Sequence, residues 1–197
     1  MKQPPPAPLD DRTDADGLLM LQAAEGIRAA WHALYVRHGA YVYATAYRYL
    51  GQEAAARDVA HDVFVALFER AGAYRPSAPF RSFLRRVVVN RCLNERMTAR
   101  NRRHVPWSEP LVATMGSPEP RPDELLEDAQ LRSVVQSTVA ALPPRQRIAV
   151  VLSRFEGLSY EEIADALDCS ISSVESLLFR ARQALERMLD EATASFR

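Results

Sequence analysis

Apolar residues recur at helical intervals through most of this chain, and no segment of useful length alternates apolar and polar residues as a β-strand does. The helical pattern breaks near the middle of the chain, then resumes and runs to the end. In the first part the spacing predicts helices near residues 18–25, 27–38, 40–50, 53–71 and 79–100. The second part should contain four more, so we expect an all-α protein.

Two neighbouring helices of the first part indicate where its core lies. Within QEAAARDVAHDVFVALFERA, Val59 and Val63 fall on one face. Within PFRSFLRRVVVNRCLNERMTARNRR, Phe80 and Leu84 do the same. The other face of this second helix is basic, because residues 81–103 hold eight arginines against one glutamate.

Capping signals define the last two helices. Ser159 stands three residues before Glu162, which is the spacing of a capping box, and Gly157 ends the preceding helix. Ser170 caps the final helix, whose buried stripe begins at Val174. Together these two helices form a predicted helix–turn–helix.

Proline and charge mark the domain boundaries. Residues 1–17 are rich in Pro and Asp and aperiodic, which predicts a disordered N-terminal tail. Residues 105–122 contain five prolines and no periodicity, which predicts a linker. We therefore expect two small helical domains, a bundle over 18–104 and a four-helix unit over 123–197.

The net charge of zero conceals an uneven distribution. Residues 18–104 carry 14 arginines against six acidic residues, whereas residues 105–130 carry one against six. A basic first part indicates a polyanionic partner, and a solvated basic face is the alternative. Arginines close to Tyr74, Phe80 and Phe83 suit single-stranded DNA, whose bases stack on rings while its phosphates meet charge. At least one of Phe80 and Phe83 is better interpreted as core.

Several function classes can be set aside. No apolar run is long enough for membrane insertion, and the N-terminus is not a secretory signal. Four scattered histidines and seven glycines form no metal motif or phosphate loop, so we expect no catalytic residue, cofactor or metal. Two cysteines are too few for a disulfide framework, which favours a reducing cytoplasm. Burial is the default for Cys92 and Cys169, and a redox role is left open.

The helix–turn–helix is moderately specific for DNA. Ser172, Ser173 and Ser176 are short hydrogen-bonding residues able to reach base edges or phosphates. Arg180 and Arg182 lie one to two turns further along and suit the DNA backbone. The helix–turn–helix carries few basic residues, so this unit alone would bind DNA weakly. A helical hairpin that binds no DNA is the alternative.

Two long stretches resemble one protein family. LYVRHGAYVYATAYRYLGQEAAARDVAHDVFVALFERAGAY, followed by PFRSFLRRVVVNRCLNERMTARNRR, is similar to region 2 of an extracytoplasmic-function (ECF, group IV) RNA polymerase sigma factor. ALPPRQRIAVVLSRFEGLSYEEIADALDCSISSVESLLFRARQAL resembles region 4 of the same family. The joint occurrence of LPPRQR, GLSYEEIA and RDVAHDVF makes the resemblance highly specific.

The resemblance implies a dissociable subunit that directs core RNA polymerase to promoters and catalyses nothing itself. The implied partners are the clamp and flap of the large polymerase subunits, promoter DNA and an anti-sigma factor. Core polymerase binding falls on Asp58, His61, Asp62 and Phe64. Contact with the single-stranded −10 element falls on Phe83, Arg86, Asn90, Arg91 and Arg96. Contact with the −35 duplex falls on Ser170, Ser172, Ser173, Glu175, Ser176, Phe179 and Arg180.

The chain departs from the family pattern at three places. His61 stands where Gln is usual, and Phe83 stands where Trp is usual. The reading helix has SSVESL in place of the common GTV(K/R)SR, so Glu175 and Leu177 replace frequent basic residues. Glutamate accepts a hydrogen bond from a cytosine amino group, so we expect an unusual −35 preference.

Two other functions compete with this interpretation. A stand-alone helix–turn–helix regulator would bind duplex DNA without polymerase, and a pure interaction protein would use both domains to bind proteins. A core-polymerase pull-down followed by run-off transcription separates the three. We also expect the acidic linker to pass the polymerase active-site channel as a nucleic-acid mimic, and replacing its acids with serine should then alter abortive initiation.

Overall fold

The computed structural model describes residues 14–74, 78–101 and 137–194, and every regular element in these ranges is helical. The expected linker over 105–122 and residues 1–13 of the expected tail lie outside the described residues. Across the described ranges no helix is both long and apolar enough to cross a membrane. The elements are α1 (Ala15–Ala24), α2 (Arg28–Leu50), α3 (Glu53–Glu69), a 3-10 turn (Ala71–Ala73), α4 (Phe80–Asn101), a helical turn at 137–141, α5 (Pro144–Arg154), α6 (Tyr160–Leu167) and α7 (Ile171–Ala194).

The first unit, α1 to α4, packs around the predicted apolar stripes. Val63 and Leu84 are fully buried, and Val59 and Phe80 are buried beside them. Leu34 and Val42 of α2 complete this core. Burying each such side chain contributes roughly 1.5–3 kcal/mol. The apolar faces of the predicted helices pack against one another, as the all-α prediction requires.

The N-terminal tail is shorter than predicted. Asp14 caps α1, with its Oδ1 accepting a hydrogen bond from the backbone N–H of Gly17 at 2.9 Å. Its Oδ2 accepts from the backbone N–H of Phe80 at 3.0 Å, which ties the start of α4 to the start of α1. The prediction that disorder extends to residue 17 is therefore wrong for residues 14–17, because this aspartate is a helix cap.

The predicted break between two helices at residues 38–40 is also wrong. α2 runs without interruption through Gly39 and ends at Gly51, whose φ of 76° is the left-handed conformation of a helix C-cap. A glycine inside a helix costs about 1 kcal/mol relative to alanine. Burial of Leu34, His38 and Val42 on one face of α2 outweighs that cost.

The second unit confirms the predicted caps. Pro144 occupies the first turn of α5, and Ser159 and Glu162 form the reciprocal capping box of α6. The Oγ of Ser170 accepts from the backbone N–H of Ser173 at the start of α7. Val174 and Ala181 are fully buried along α7, as its stripe predicts.

The two units share a core, which the sequence pattern does not predict. Buried residues of α5 and α6, including Ile148, Leu152 and Ile163, belong to the same apolar cluster as Leu34 and Leu84 of the first unit. α6 lies against α4, and α5 lies against α2. The basic helix of the first unit therefore contacts the helix–turn–helix directly.

Candidate binding surfaces

An open apolar groove of about 530 Å³ lies between α2 and α3. We call it the α2–α3 groove. Its lining is mostly aromatic, with an arginine and two histidines at the edges: Arg28, Trp31, His32, Tyr35, His61, Phe64, Val65 and Phe68. An exposed aromatic surface of this kind is unusual on a monomer and is typical of a protein-binding site.

Ring contacts fix the shape of the groove. Tyr35 and Phe64 lie with ring centroids 4.9 Å apart, and Trp31 and Phe68 with centroids 5.3 Å apart. The indole N–H of Trp31 donates to the carbonyl of Ala23 at 3.1 Å, which anchors that ring. Tyr35 is nevertheless 59% exposed and Phe68 is 63% exposed, so much of the aromatic surface faces solvent.

The residues predicted for polymerase binding lie at this groove and beside it. His61 and Phe64 line it, and Asp58 and Asp62 are exposed one turn apart on α3. Sequence reasoning missed the α2 side of the groove, Trp31 and Tyr35. Their four-residue spacing forms a second apolar stripe beside the core stripe of α2, and that stripe is the signal that could have found them.

On α4, three of the predicted −10 residues fall on one stripe. Phe83, Arg86 and Asn90 are spaced three and four residues apart, and Arg86 and Asn90 are exposed. Arg91 is half-buried next to them, and the side chain of Arg96 lies outside the described residues. Phe83 is half-buried with its ring centroid 5.3 Å from that of Tyr74.

The alternative that one of the two phenylalanines is core is confirmed for Phe80. Its side chain is fully buried, whereas Phe83 retains an accessible edge. Phe83 is therefore the aromatic residue of this pair that a ligand on α4 can reach.

Acidic residues of α6 pair with arginines of α4. Arg85 donates to Glu162 at 2.8 Å, and Arg86 forms an ion pair with Asp165. The hydrogen bond from Arg85 lowers the pKa of Glu162 below its usual value, and the backbone N–H of Ser159 adds to the shift. Glu162 therefore uses one carboxylate for two purposes, the cap of α6 and the contact with α4.

The predicted −35 residues form a continuous exposed face on α7. Ser172, Ser173, Glu175, Ser176, Phe179 and Arg180 are all exposed, and Phe179 is 60% exposed. Ser170 is exposed as well, but its hydroxyl is occupied by the cap and by contacts with Ser172 and Ser173 at 3.0 and 2.8 Å. It therefore organises the start of the helix more than it presents a free group.

A shallow depression of about 440 Å³ adjoins this face, and Arg145 of α5 forms part of its wall. The guanidinium of Arg145 donates to the carbonyl of Leu167 at 3.0 Å. Sequence reasoning missed Arg145 because it is far along the chain from the reading helix. It adds a positive charge to a face whose own basicity is thin.

The titratable groups of the described ranges form no cluster of three or more that would hold a metal ion. Cys92 is fully buried, and burial raises the pKa of its thiol to about 12. Such a thiol is neutral at physiological pH, which is the opposite of a reactive thiolate. Cys169 is half-buried in the turn between α6 and α7.

Comparison with known proteins places both halves of the chain in one family. The family profile for sigma-70 region 2 matches residues 34–103, and that for sigma-70 region 4 matches residues 132–185. The ECF RNA polymerase sigma-E factor of Escherichia coli K12 is 30% identical over 179 residues, covering 87% of this chain and 92% of that protein. The chain belongs to the ECF RNA polymerase sigma factors. As a sigma factor it acts in promoter-specific transcription initiation with RNA polymerase.

Two further relatives agree with this assignment. The ECF RNA polymerase sigma factor SigE of Mycolicibacterium smegmatis is 32% identical over 169 residues, and the match spans 84% of this sigma factor but only 65% of SigE. The solved structure of CnrH, in complex with the cytosolic domain of CnrY, superposes with a TM-score of 0.64 at 30% identity and covers 90% of this chain and 99% of CnrH.

Proposed function

We propose that this sigma factor is a group IV member whose region 2 occupies 18–104 and whose region 4 occupies 123–197, joined by the linker over 105–122. It binds core polymerase and positions two DNA-contacting helices, and it catalyses no reaction itself. The observation that supports the proposal is the presence of three separate surfaces on one helical scaffold: the aromatic α2–α3 groove, the stripe of Phe83, Arg86 and Asn90 on α4, and the exposed face of α7. The proposed location is the cytoplasm, where RNA polymerase acts.

The α2–α3 groove is the proposed docking site for the polymerase clamp. His61 and Phe64 contribute to its wall, and Asp58 and Asp62 supply negative charge on the exposed surface of the same helix. Large aromatic side chains with nearby charge are typical of the energetically dominant residues of protein interfaces. The flap is the proposed contact of region 4.

The clamp proposal is tested by changing the groove without touching the core. Phe68→Ser should weaken core-polymerase binding about tenfold or more in a fluorescence titration, since Phe68 is exposed in the free protein. Val36→Ser is the matched control, because Val36 is 64% exposed on α2 but does not line the groove. Equal loss in both variants would contradict the groove as the docking site.

The proposed −10 surface is the stripe of Phe83, Arg86 and Asn90, extended by Arg91 and Arg96. Asn90 is exposed and offers both donor and acceptor atoms to an unstacked base. A flipped base costs a few kcal/mol to unstack, which contacts of this kind offset.

Asn90→Ala should therefore reduce promoter opening about tenfold while core binding stays intact, because one bidentate base contact is worth about 1–3 kcal/mol. Opening is measured by permanganate reactivity of unpaired thymines in the reconstituted holoenzyme. Gln22→Ala, an amide-to-alanine change at an exposed position of α1, is the control and should stay near wild type. Unimpaired opening in Asn90→Ala would contradict the assignment, whereas equal loss of opening and core binding would indicate a folding defect.

The proposed −35 surface is the exposed face of α7 from Ser170 to Arg180. Glu175 lies at its centre with serines on both sides, so it favours a cytosine amino group over an acceptor-rich base edge. An anti-sigma factor is the further proposed partner. Support comes from CnrH, a 30% identical relative whose solved structure contains the cytosolic domain of a second protein.

A further inference from the structure

We propose that Asp14 is a positioning residue for the −10 surface, because its carboxylate fixes the start of α4 and the ring of Phe83 without belonging to the stripe that would contact DNA. The inference rests on the proposed function of that stripe. Asp14 precedes the residues proposed as region 2, so the inference extends the −10 site toward the N-terminus.

The Asp14 carboxylate caps the starts of two helices at once. Its Oδ1 accepts from the backbone N–H of Gly17 at 2.9 Å in the first turn of α1, and its Oδ2 accepts from that of Phe80 at 3.0 Å. Phe80 is the first residue of α4, and the first N–H groups of a helix have no partner within the helix. Negative charge at a helix N-terminus also interacts favourably with the aligned peptide dipoles. The start of α4 is therefore held in place relative to α1.

The same carboxylate contacts the aromatic side chains behind Phe83. The hydroxyl of Tyr74 donates to Oδ2 of Asp14 at 3.5 Å, and burial raises the pKa of Tyr74 to about 12, so this hydroxyl keeps its proton. The ring centroid of Tyr74 lies 5.3 Å from that of Phe83 and 6.3 Å from that of Phe80. Tyr74 and Phe80 are buried and Phe83 is half-buried, so the two buried rings support the accessible one. A displaced Asp14 would therefore affect Phe83 both through the backbone of α4 and through the ring of Tyr74.

Gly17 provides the space that the carboxylate occupies. A Cβ at this position would lie 2.6 Å from Cγ of Asp14, closer than atoms that are not bonded to each other approach. Gly17 is a buried residue inside α1, where alanine would by its intrinsic propensity be the more stable residue. Alanine at this position would force the carboxylate away from its two backbone partners. The glycine is therefore tied to the double cap.

The placement of Phe83 should matter for promoter opening and not for core binding. A side chain that binds a ligand must be held within about 0.5 Å of its productive position by the residues that support it. Core binding is proposed for the α2–α3 groove, whose lining does not include Tyr74, Phe80 or Phe83. Loss of the Asp14 contacts should therefore slow opening while core binding is unchanged.

The test uses the full chain carrying Asp14→Asn in the reconstituted holoenzyme. An amide has one acceptor oxygen and asparagine is a good N-cap, so α1 can keep its cap while the N–H of Phe80 loses its acceptor. Asp16→Asn is the matched control, because it is the same change in the same helix at a carboxylate whose two ion pairs in the described structure are with α2. Gly17→Ala is a second variant, which displaces the carboxylate without changing any charge.

Promoter opening is measured by permanganate reactivity and core binding by fluorescence titration, and thermal unfolding of the free protein checks that each variant folds. We expect Asp14→Asn and Gly17→Ala to slow opening about tenfold, as the loss of a hydrogen bond to a charged group can do, with core binding unchanged. Asp16→Asn should stay near wild type in opening. Equal slowing in Asp14→Asn and Asp16→Asn overturns the proposal, because any loosening of α1 would then have the same effect.

A double-mutant cycle with Phe83→Leu distinguishes positioning from general stability. Phe83→Leu removes the ring and should itself slow opening. Because Asp14 acts through this ring, Asp14→Asn should slow opening by less than about twofold more in the Phe83→Leu protein, whereas independent residues would give additive effects. Additive effects overturn the positioning role and leave the −10 assignment of Phe83 intact. Normal opening in Phe83→Leu alone overturns that assignment and the positioning role with it.

Discussion

α4 and α7 are both assigned to promoter DNA, yet they present very different surfaces in the same structure. α4 carries dense positive charge, and Arg85 and Arg86 in its second turn are paired with acids of α6. α7 carries little positive charge, and its reading face from Ser172 to Arg180 is open to solvent. The helix with the greater charge is the one whose arginines are paired with acids of the other unit.

The difference concerns how strongly each helix would bind nucleic acid without regard to sequence. An open row of arginines binds any nucleic acid through its phosphates, with an affinity that depends on salt and not on sequence. A face of serines, one glutamate and one arginine has little such affinity, so it can stay open at small cost. Under the proposed function, polymerase would hold this face next to the −35 element, and the higher effective concentration would offset its weak affinity.

The largest expected effect concerns whether the two helices belong to one core. Leu84→Ala in α4 should lower the free energy of unfolding by about 2–5 kcal/mol, and Val174→Ala in α7 by about 2 kcal/mol, since both side chains are fully buried. With Trp107→Phe as background, Trp31 is the one tryptophan left and reports on the first unit. Val174→Ala should still shift the urea midpoint of Trp31 fluorescence, because the core is shared.

An unmoved Trp31 midpoint in the Val174→Ala protein would mean that the units unfold separately. The comparison between α4 and α7 would then be one between independent domains.

The next effect separates the two DNA surfaces by charge. Arg86→Glu with Arg91→Glu should reduce promoter opening about 100-fold in the holoenzyme, at about tenfold for each lost contact. Arg180→Glu on α7 should weaken closed-complex formation about tenfold and leave the opening step unchanged. Stopped-flow fluorescence on a promoter labelled in the −10 element resolves the two steps. If Arg180→Glu slowed opening and the α4 pair did not, the assignments of the two helices would be reversed.

The smallest effect concerns base preference at α7. Glu175→Gln keeps the size of the side chain and adds a donor, so it should relax selection for cytosine two- to fivefold without a large change in affinity for the preferred site. Selection from a −35 library by run-off transcription measures it. An unchanged base profile would show that Glu175 does not read the duplex.

Local features of this sigma factor could be predicted from sequence. The capping box of Ser159 and Glu162 is a four-residue signal, and both of its hydrogen bonds are present. The exposed face of α7 follows from the buried stripe at Val174 and Ala181, since opposite faces of one helix are set by its period. The resemblance to the sigma factor family was also predicted from short local motifs such as LPPRQR and GLSYEEIA.

Non-local features could not be predicted. Arg85 and Glu162 are 77 residues apart, and nothing in the pattern of either helix indicates that one faces the other. Arg86 was therefore interpreted as open to DNA. Gly39 misled for a related reason, because its helical conformation depends on packing of α2 and not on its own propensity.

The cation–π pair of Arg147 and Tyr49 has a consequence for how firmly the two units hold together. Arg147 is 2% exposed, and its Nε has no hydrogen-bond partner among the described residues. A buried guanidinium regains its hydration when the units separate, and this favourable hydration free energy offsets part of the free energy lost with the contacts. Arg147→Met, which keeps a long side chain and removes the charge, should therefore leave the free energy of unfolding nearly unchanged or raise it. The charge therefore contributes less to holding the two units together than its burial alone suggests.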